Sequence, residues 1–298
     1  MNSLFKTTAK KLAPDFFTLL QILWVYKKRL GVFPNIIHPR TFNEKIQYRK
    51  LHDRRPLLTL LVDKYGARDY VEEKIGKHVL PKLLFVTENP SDIPFDALPA
   101  RFVVKPTHGA GWVFVVTDKQ SIDRAAIVRT CHSWLSQNFY NWTREWAYRD
   151  VKPRIIVEEF IGGQDGSIPM DYKFFVFGGK IAFVQVDIGR FKDLRRNLYD
   201  TAWNKLPVAL DFPNSTEEIP RPPNLEAMID CARALADGID FVSVDLYDTN
   251  GKVYFGEFTL APGHGYVRFR PKTFDKYLGS LWDISSVKRL GGNRGSLP

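Results

Sequence analysis

Two carboxylates, Asp245 and Glu257, lie on neighbouring strand-like runs, residues 241–247 and 252–259, joined by Asp248-Thr-Asn-Gly251. Asn-Gly between alternating apolar runs is the strongest short-range hairpin signal a sequence offers. Val242, Val244 and Leu246 alternate with Ser243, Asp245 and Tyr247, so one face is core and the other carries the carboxylate. Glu257 and Thr259 share a face of the second run, with Phe258 and Leu260 opposite. Parity constrains the pairing, because a two-residue Asn-Gly loop sets Asp245 opposite Gly256 and turns Glu257 to the wrong side. A three-residue loop, Thr249-Asn250-Gly251 with Gly251 left-handed, makes the two acids diagonal neighbours on one face. That register is predicted unless a bulge resets it. Two carboxylates on one sheet face suit a magnesium ion that bridges nucleotide phosphates, and equally fit a half-exposed hairpin with scattered acids.

Basic groups at turns supply the complementary half of such a site. Lys105 ends the short strand 102–106 and precedes Thr107-His-Gly-Ala-Gly111. Glycines let backbone N–H groups approach phosphate oxygens, and a nearby ammonium adds a point charge. Gly109 and Gly111 match neither common nucleotide-binding glycine pattern, and His108 reads as a loop residue or a solvent-facing hydrogen-bonder. Lys64 falls on a predicted helix, residues 56–74. Glu158-Glu159 ends the strand 154–161, where an unpaired buried carboxylate would be expensive, so one of the two needs a polar partner or solvent.

These groups require a scaffold of strands and helices. A strand near 80–86 leads to a Pro-rich turn, strands at 102–106 and 112–117 flank the Gly turn, and a helix over 123–137 follows. Residues 171–177 and 180–188 form a hairpin over Gly178-Gly179, residues 204–223 are loop-like, and a helix over 225–238 precedes the carboxylate hairpin. Thr41-Phe-Asn-Glu44 fits a capping box that opens a basic amphipathic helix. The fold class is α+β. Four parts are expected: a basic helical segment 1–77, a small lobe 78–160, a larger metal-binding lobe 161–285 and a frayed tail 286–298.

At 298 residues and 44% hydrophobic content the chain can bury a full core. Cys131 and Cys231 lack metal-ligand spacing and read as reduced, in a cytoplasmic setting. No cleavable signal peptide is visible. The net charge is +10, and residues 1–78 hold 16 Lys/Arg against 7 Asp/Glu. That excess implies an acidic partner, either an anionic lipid at the inner face of the membrane or an acidic glycan. Nucleic acid is disfavoured, since no binding module accompanies the charge. Leu12, Phe16, Leu19, Leu20 and Leu23 recur at helical spacing with lysines at both ends, which fits a helix docked on the core, or one that lies on a membrane surface or docks a partner. The stretch is too short to span a bilayer.

The order of these groups, from Lys64 through Lys105, Glu158-Glu159 and Asp171/Lys173 to Asp245 and Glu257, resembles the ATP-grasp superfamily. Thr41-Phe-Asn-Glu-Lys45, Val62-Asp-Lys-Tyr65, Val104-Lys-Pro106, Val157-Glu-Glu-Phe160 and Gly256-Glu-Phe-Thr259 with Pro262-Gly263 look like its TupA-like branch, over about residues 38–285. That branch is associated with teichuronopeptide and capsular polysaccharide synthesis, and its members are often labelled glycosyltransferases. The resemblance implies two α+β lobes sandwiching ATP, with Lys64 and Lys105 on the phosphates and 108–112 as a flap over them. It also implies an interlobe hinge at Glu158, Glu159, Phe160 and Ile161 reading the adenine edge, Asp165 near the ribose, and Asp171 and Lys173 beside the nucleotide. Asp245 and Glu257 match the metal-binding carboxylates. The superfamily usually carries Asn where this chain has Thr259, which puts a second magnesium in doubt. Amino-acid ligases often carry an arginine at the position of Ser243, and Arg190, Arg195 or Arg196, in the loop after Asp187, are the candidates to replace it. The implied reaction is ATP-dependent joining of a carboxylate and an amine through an acyl-phosphate, on an acidic glycan or lipid-linked saccharide. A glycosyltransferase using a sugar nucleotide is the alternative.

Overall fold

The computed structural model describes residues 3–163, 165–189 and 193–287, with side chains described from Phe16 onward. Arg190 and the tail beyond 287 lie outside the described residues. Two antiparallel sheets face a common cleft. The smaller has the order β1(Leu83–Thr87), β4(Ile155–Glu159), β2(Phe102–Pro106), β3(Phe114–Val116). The larger has the order β10(Lys252–Thr259), β9(Phe241–Thr249), β5(Asp171–Phe177), β6(Lys180–Ile188), β7(Arg195–Tyr199). A short ribbon pairs β8(Ala209–Leu210) with β11(Phe269–Arg270). The helices are α1(Ser3–Leu30), α2(Phe42–His52), α3(Pro56–Val62), α4(Gly66–Ile75), α5(Arg124–Leu135), α6(Tyr140–Thr143), α7(Leu225–Leu235) and α8(Thr273–Leu281).

Period-two alternation divides the large sheet into two faces. Tyr172, Phe174, Val184, Val244 and Leu246 pack on one side against α7, α3 and α4. On the other, the far end of the strands buries Phe175, Phe183 and Phe241 beneath Phe42 of α2 and Trp282. The near end of that second face is polar and opens to the cleft. Helices α2–α4 are therefore part of the large lobe's core rather than a separate segment. The small sheet has its own core, where α5 places Ile127, Cys131 and Trp134 against Phe102 and Val104.

The capping box forms in full, with the Thr41 hydroxyl accepting from the Glu44 N–H and the Glu44 carboxylate accepting from the Thr41 N–H. The helix it opens carries the expected basic residues, but two of them point inward. Arg49 and Lys50 are buried, because α2 is sandwiched between the large sheet and the turn after β10. Arg49 donates to the carbonyls of Phe241 (2.9 Å) and Leu260 (3.2 Å) and to Asp240 (2.8 Å). Arg55 adds a second cation to Asp240 at 2.8 Å, and the two guanidinium groups with the Trp282 N–H outweigh burial to hold Asp240 down at about 2. Much of the N-terminal positive charge is thus spent inside the fold.

Lys50 donates to the His264 carbonyl (3.1 Å) and lies 4.8 Å from the Tyr266 ring centre. Burial lowers its pKa to about 8, against a smaller upward pull from Glu145. Between pH 8 and 10.5 the unfolded chain holds a proton that the native lysine has released, so native stability gains with rising pH in that window. Relative to Lys50→Met, the gain is expected to be on the order of 3 kcal/mol. Urea midpoints measured at both ends of the window for the two proteins check it.

Candidate functional site

The carboxylate hairpin reaches the required geometry by a different device from the one expected. Asn250 and Gly251 both have positive φ (53° and 72°), and Thr249 pairs with Lys252, so the loop has two residues, not three. Uncorrected, that loop would waste Glu257 on the core face. A bulge at Gly256 shifts the register between Phe255 and Glu257 and sets Glu257 directly opposite Asp245. A Cβ on Gly256 would stand 2.9 Å from the Tyr247 ring and 3.0 Å from the Asp245 carbonyl oxygen, so the bulge depends on glycine.

Cross-strand pairing extends this into charged rungs. Asp245 opposes Lys173, and Lys173 opposes Gln185. On the next rung Asp171 opposes Asp187, which opposes Arg196. The Lys173 ammonium bridges Asp245 and Asp171 (2.8 Å to the latter), and the Ser243 hydroxyl donates to Asp245 at 2.9 Å. Burial raises the Asp245 carboxyl to about 7, with Lys173 pulling the other way and Asp171 and Glu257 adding to the rise. Glu257 goes down. Burial opposes its ionisation, but Lys64 and Lys173 outweigh it and hold the group at about 2.

The opposite wall supplies the cations. Residues 56–74 form two helices rather than one, broken at Asp63-Lys64-Tyr65. Asp63 causes the break, since its carboxylate accepts from the Tyr65 N–H (2.9 Å) and from Arg154 (3.0 Å) instead of continuing the helix. Lys64 therefore projects from a turn, with its N–H on the Thr107 carbonyl (3.1 Å). Its ammonium joins the Gly109 carbonyl (2.8 Å) to Glu257 (2.7 Å) across the cleft. Lys105 pairs with Glu158 at 2.6 Å, and Arg68 holds the other oxygen of that carboxylate at 2.7 Å.

Between the sheets lies a cleft of about 450 Å³. Lys64, Lys105, Glu158, Asp171, Asp187 and Glu257 give it a charged end, and Val103, Val115, Ile161, Ile168 and Met170 an apolar slot. Glu159, Phe160 and Gly111 also line it, and the Glu159 carboxylate accepts from the Lys82 N–H at 2.8 Å. Gly111 has φ +76°, and Trp112 beside it closes the rim.

Several expected site residues lie elsewhere. His108 is neither solvent-facing nor in the cleft wall. It is buried, bonded to the Trp134 carbonyl (2.9 Å) and packed on Trp112, and burial lowers its pKa. Gly109 does not line the cleft, but its carbonyl receives Lys64. Asp165 is exposed, accepts from the Ser167 N–H (2.9 Å) within its own turn, and is not among the residues that line the cleft. Arg195 and Arg196 are on strand β7, not in a loop. Arg195 pairs with Asp193 (2.9 Å), and Arg196 forks onto Asp187 (2.5 and 3.0 Å). Thr259 ends β10 on the face of Glu257, opposite Ser243.

The sequence reading missed two residues that act on the cleft, Arg68 and Asp187, and an ion pair outside its lining, His264 with Glu145. Arg68, four residues after Lys64 and in the first turn of α4, was legible as a second cation nearby. Asp187 pairs across the sheet with Asp171, which the hairpin register implies. His264 is the least legible, because its Nδ1 meets the buried Glu145 at 2.6 Å from a position 119 residues away. Burial raises the pKa of the Tyr148 hydroxyl, and the charges of Glu145, Glu257 and Asp245 raise it further.

The family model for TupA-like ATP-grasp proteins matches residues 44–283. The chain belongs to that family. Its fold is accordingly the ATP-grasp fold, with the two sheets as the two lobes. Among solved structures, it is similar to D-alanine–D-alanine ligase from Bacillus anthracis complexed with ATP (16% identity, 68% of this chain and 56% of that one, TM-score 0.40). It is also similar to the ATP-grasp ligase PsnB complexed with a precursor variant, Mg and ADP (12% identity, 77% and 57%, TM-score 0.41). A third is phosphoribosylamine–glycine ligase from Thermotoga maritima (15% identity, 70% and 50%, TM-score 0.41). The TupA-like chain spans 50–57% of the length of these structures. No curated protein sequence matches it.

The donor set fits magnesium with a nucleotide. Among the described residues no three His, Cys, Asp or Glu side chains cluster as a metal cage. Magnesium usually takes one or two protein carboxylates and completes its shell with water and phosphate oxygens, so two acids on one rung are sufficient.

Proposed function

We propose that this TupA-like ATP-grasp protein is an ATP-dependent carboxylate–amine ligase of cell-surface polysaccharide assembly. The observation that carries the reading is that the ammonium groups of Lys64 and Lys105 and the Glu257 carboxylate line one cleft that also has apolar walls, with Asp245 paired beside Glu257 and buried behind the cleft surface. The slot suits a flat base, with the backbone after β4 at Phe160 and Ile161 along its edge. The charged end suits a triphosphate.

Magnesium held by Asp245 and Glu257, with Thr259 within the same strand end, would neutralise phosphate charge. Lys64 and Lys105 leave their internal carboxylate partners for phosphate oxygens, and Arg68 keeps Glu158 paired when Lys105 moves. The γ-phosphoryl group passes to a carboxylate oxygen of the acid substrate as the bond to ADP breaks. The amine then attacks the acyl carbon, the C–O bond to phosphate breaks, and inorganic phosphate and a proton leave. The charge that a ligase arginine would supply at Ser243 comes from Lys173, which already sits on Asp245.

The acid is a uronic acid of an acidic glycan or lipid-linked saccharide, and the amine an amino acid or amino compound. The test is turnover of ATP against panels of acids and amines. ADP and phosphate release that requires both an acid and an amine supports the ligase. Nucleoside diphosphate release from a sugar nucleotide, without ATP use, would replace it with a glycosyltransferase.

A further inference from the structure

Helix α1 is apolar on two opposite faces, and only one of them meets the protein. Thr18, Ile22 and Tyr26, four residues apart, are buried. That face is pinned to the segment around α6: Gln21 donates to the Trp142 carbonyl (3.0 Å), Arg144 donates to Gln21 (2.6 Å), and Tyr26 packs edge-on against Tyr266. Phe16, Phe17, Leu20 and Trp24 fall on the other face and are 58, 64, 45 and 63% exposed. The loop that follows continues the surface with Val32, Phe33 and Ile37 at 58, 64 and 60%. Half of the exposed large apolar side chains among the described residues fall in this one stretch. Singly scattered apolar residues are ordinary on a protein surface, whereas a contiguous patch marks an interaction site.

Charge identifies the occupant. Residues 16–43 contain Lys27, Lys28, Arg29 and Arg40 and no Asp or Glu. Lys28 extends over the Trp24 ring (4.9 Å) and Lys27 over Phe33 (5.4 Å), so the ammonium groups rim the aromatic patch. Arg268 joins them by donating to the Arg29 carbonyl at 3.0 Å. Aromatic side chains bordered by lysines on long, apolar stems match the boundary between lipid headgroups and acyl chains. A folded protein partner would need acids to meet the lysines and apolar groups to meet the aromatics. An anionic bilayer supplies both over any area. Among the described residues no helix is long and apolar enough to cross a membrane, so the contact is lateral.

The geometry points to an anionic lipid surface as the docking partner of this face, with α1 lying in the headgroup plane and the cleft carried beside the membrane. The face stands apart from the nucleotide cleft, so the inference is independent of the reaction proposed above.

Co-sedimentation of the full chain with vesicles tests it. Phosphatidylcholine vesicles with about one third phosphatidylglycerol are expected to pellet the protein, and pure phosphatidylcholine to leave most of it in solution. Trp24→Ser with Phe33→Ser is expected to lower the partition coefficient by about tenfold or more. Lys27→Gln with Lys28→Gln should lower it by about fivefold per lysine and flatten its salt dependence. All these positions are exposed, so circular dichroism and ATP turnover in solution should match the unaltered protein. The inference is overturned by any one of three results. These are no binding to the anionic vesicles, equal binding by the aromatic double variant, and lipid-free sedimentation showing a dimer that the same double variant dissolves.

Discussion

Lys105→Ala and Asp245→Asn are each expected to lower ATP turnover by on the order of a thousandfold while leaving the fold intact. Phosphoryl transfer relies on positioning and charge neutralisation, and each substitution deletes one charge facing the triphosphate. The fold should tolerate both. Lys105→Ala leaves Glu158 with Arg68, and Asp245→Asn leaves Lys173 with Asp171 and keeps an acceptor for Ser243. A fall in kcat together with kcat/KM, at unchanged denaturant midpoints, is the expected pattern. Near-normal turnover in both variants would remove the cleft from the reaction.

Arg49→Ala carries the largest expected cost to stability, about 3–5 kcal/mol in a denaturant titration. Its guanidinium is buried, stacks 4.4 Å from the Trp282 ring centre, and neutralises Asp240. Removing it leaves the buried Asp240 with only Arg55 as cation, and takes a donor from the carbonyls of Phe241 and Leu260. Those carbonyls lie at the start of β9 and just after β10, so the same side chain ties down the ends of the strands that carry Asp245 and Glu257. Arg49→Lys restores charge but not the fork, and should recover only part of the loss. Arg124→Ala, which breaks an exposed pair with Asp96, should cost less than about 1 kcal/mol and serves as the control.

The elements that follow from local patterning were legible in the sequence. Hairpins over Gly178-Gly179 and Asn250-Gly251, the capping box at Thr41 and the helix at 225–235 each have a period and a punctuating residue of their own. The family also emerged from the order of motifs. What escaped the reading depends on tertiary competition. Asp63 breaks a helix because Arg154, 91 residues later, fixes its carboxylate. Gly256 shifts a register that the turn alone would have set wrongly, and nothing in the alternation distinguishes a bulging glycine from one in a regular strand. The burial of Arg49 and Lys50 on α2 could not be read from sequence, since their partners, Asp240 and the carbonyl of His264, come from the far end of the chain. His108 illustrates the reverse: a histidine just ahead of Gly109-Ala-Gly111 suggests an exposed loop, yet Trp112 and Trp134 draw it into the small lobe's core.

Calorimetric titration with a non-hydrolysable ATP analogue, with and without magnesium, tests the central claim most directly. The account predicts binding that requires magnesium and weakens by about tenfold or more in both Asp245→Asn and Glu257→Gln. Equal binding of the magnesium–analogue complex by these variants, or no binding by the unaltered protein, would contradict it.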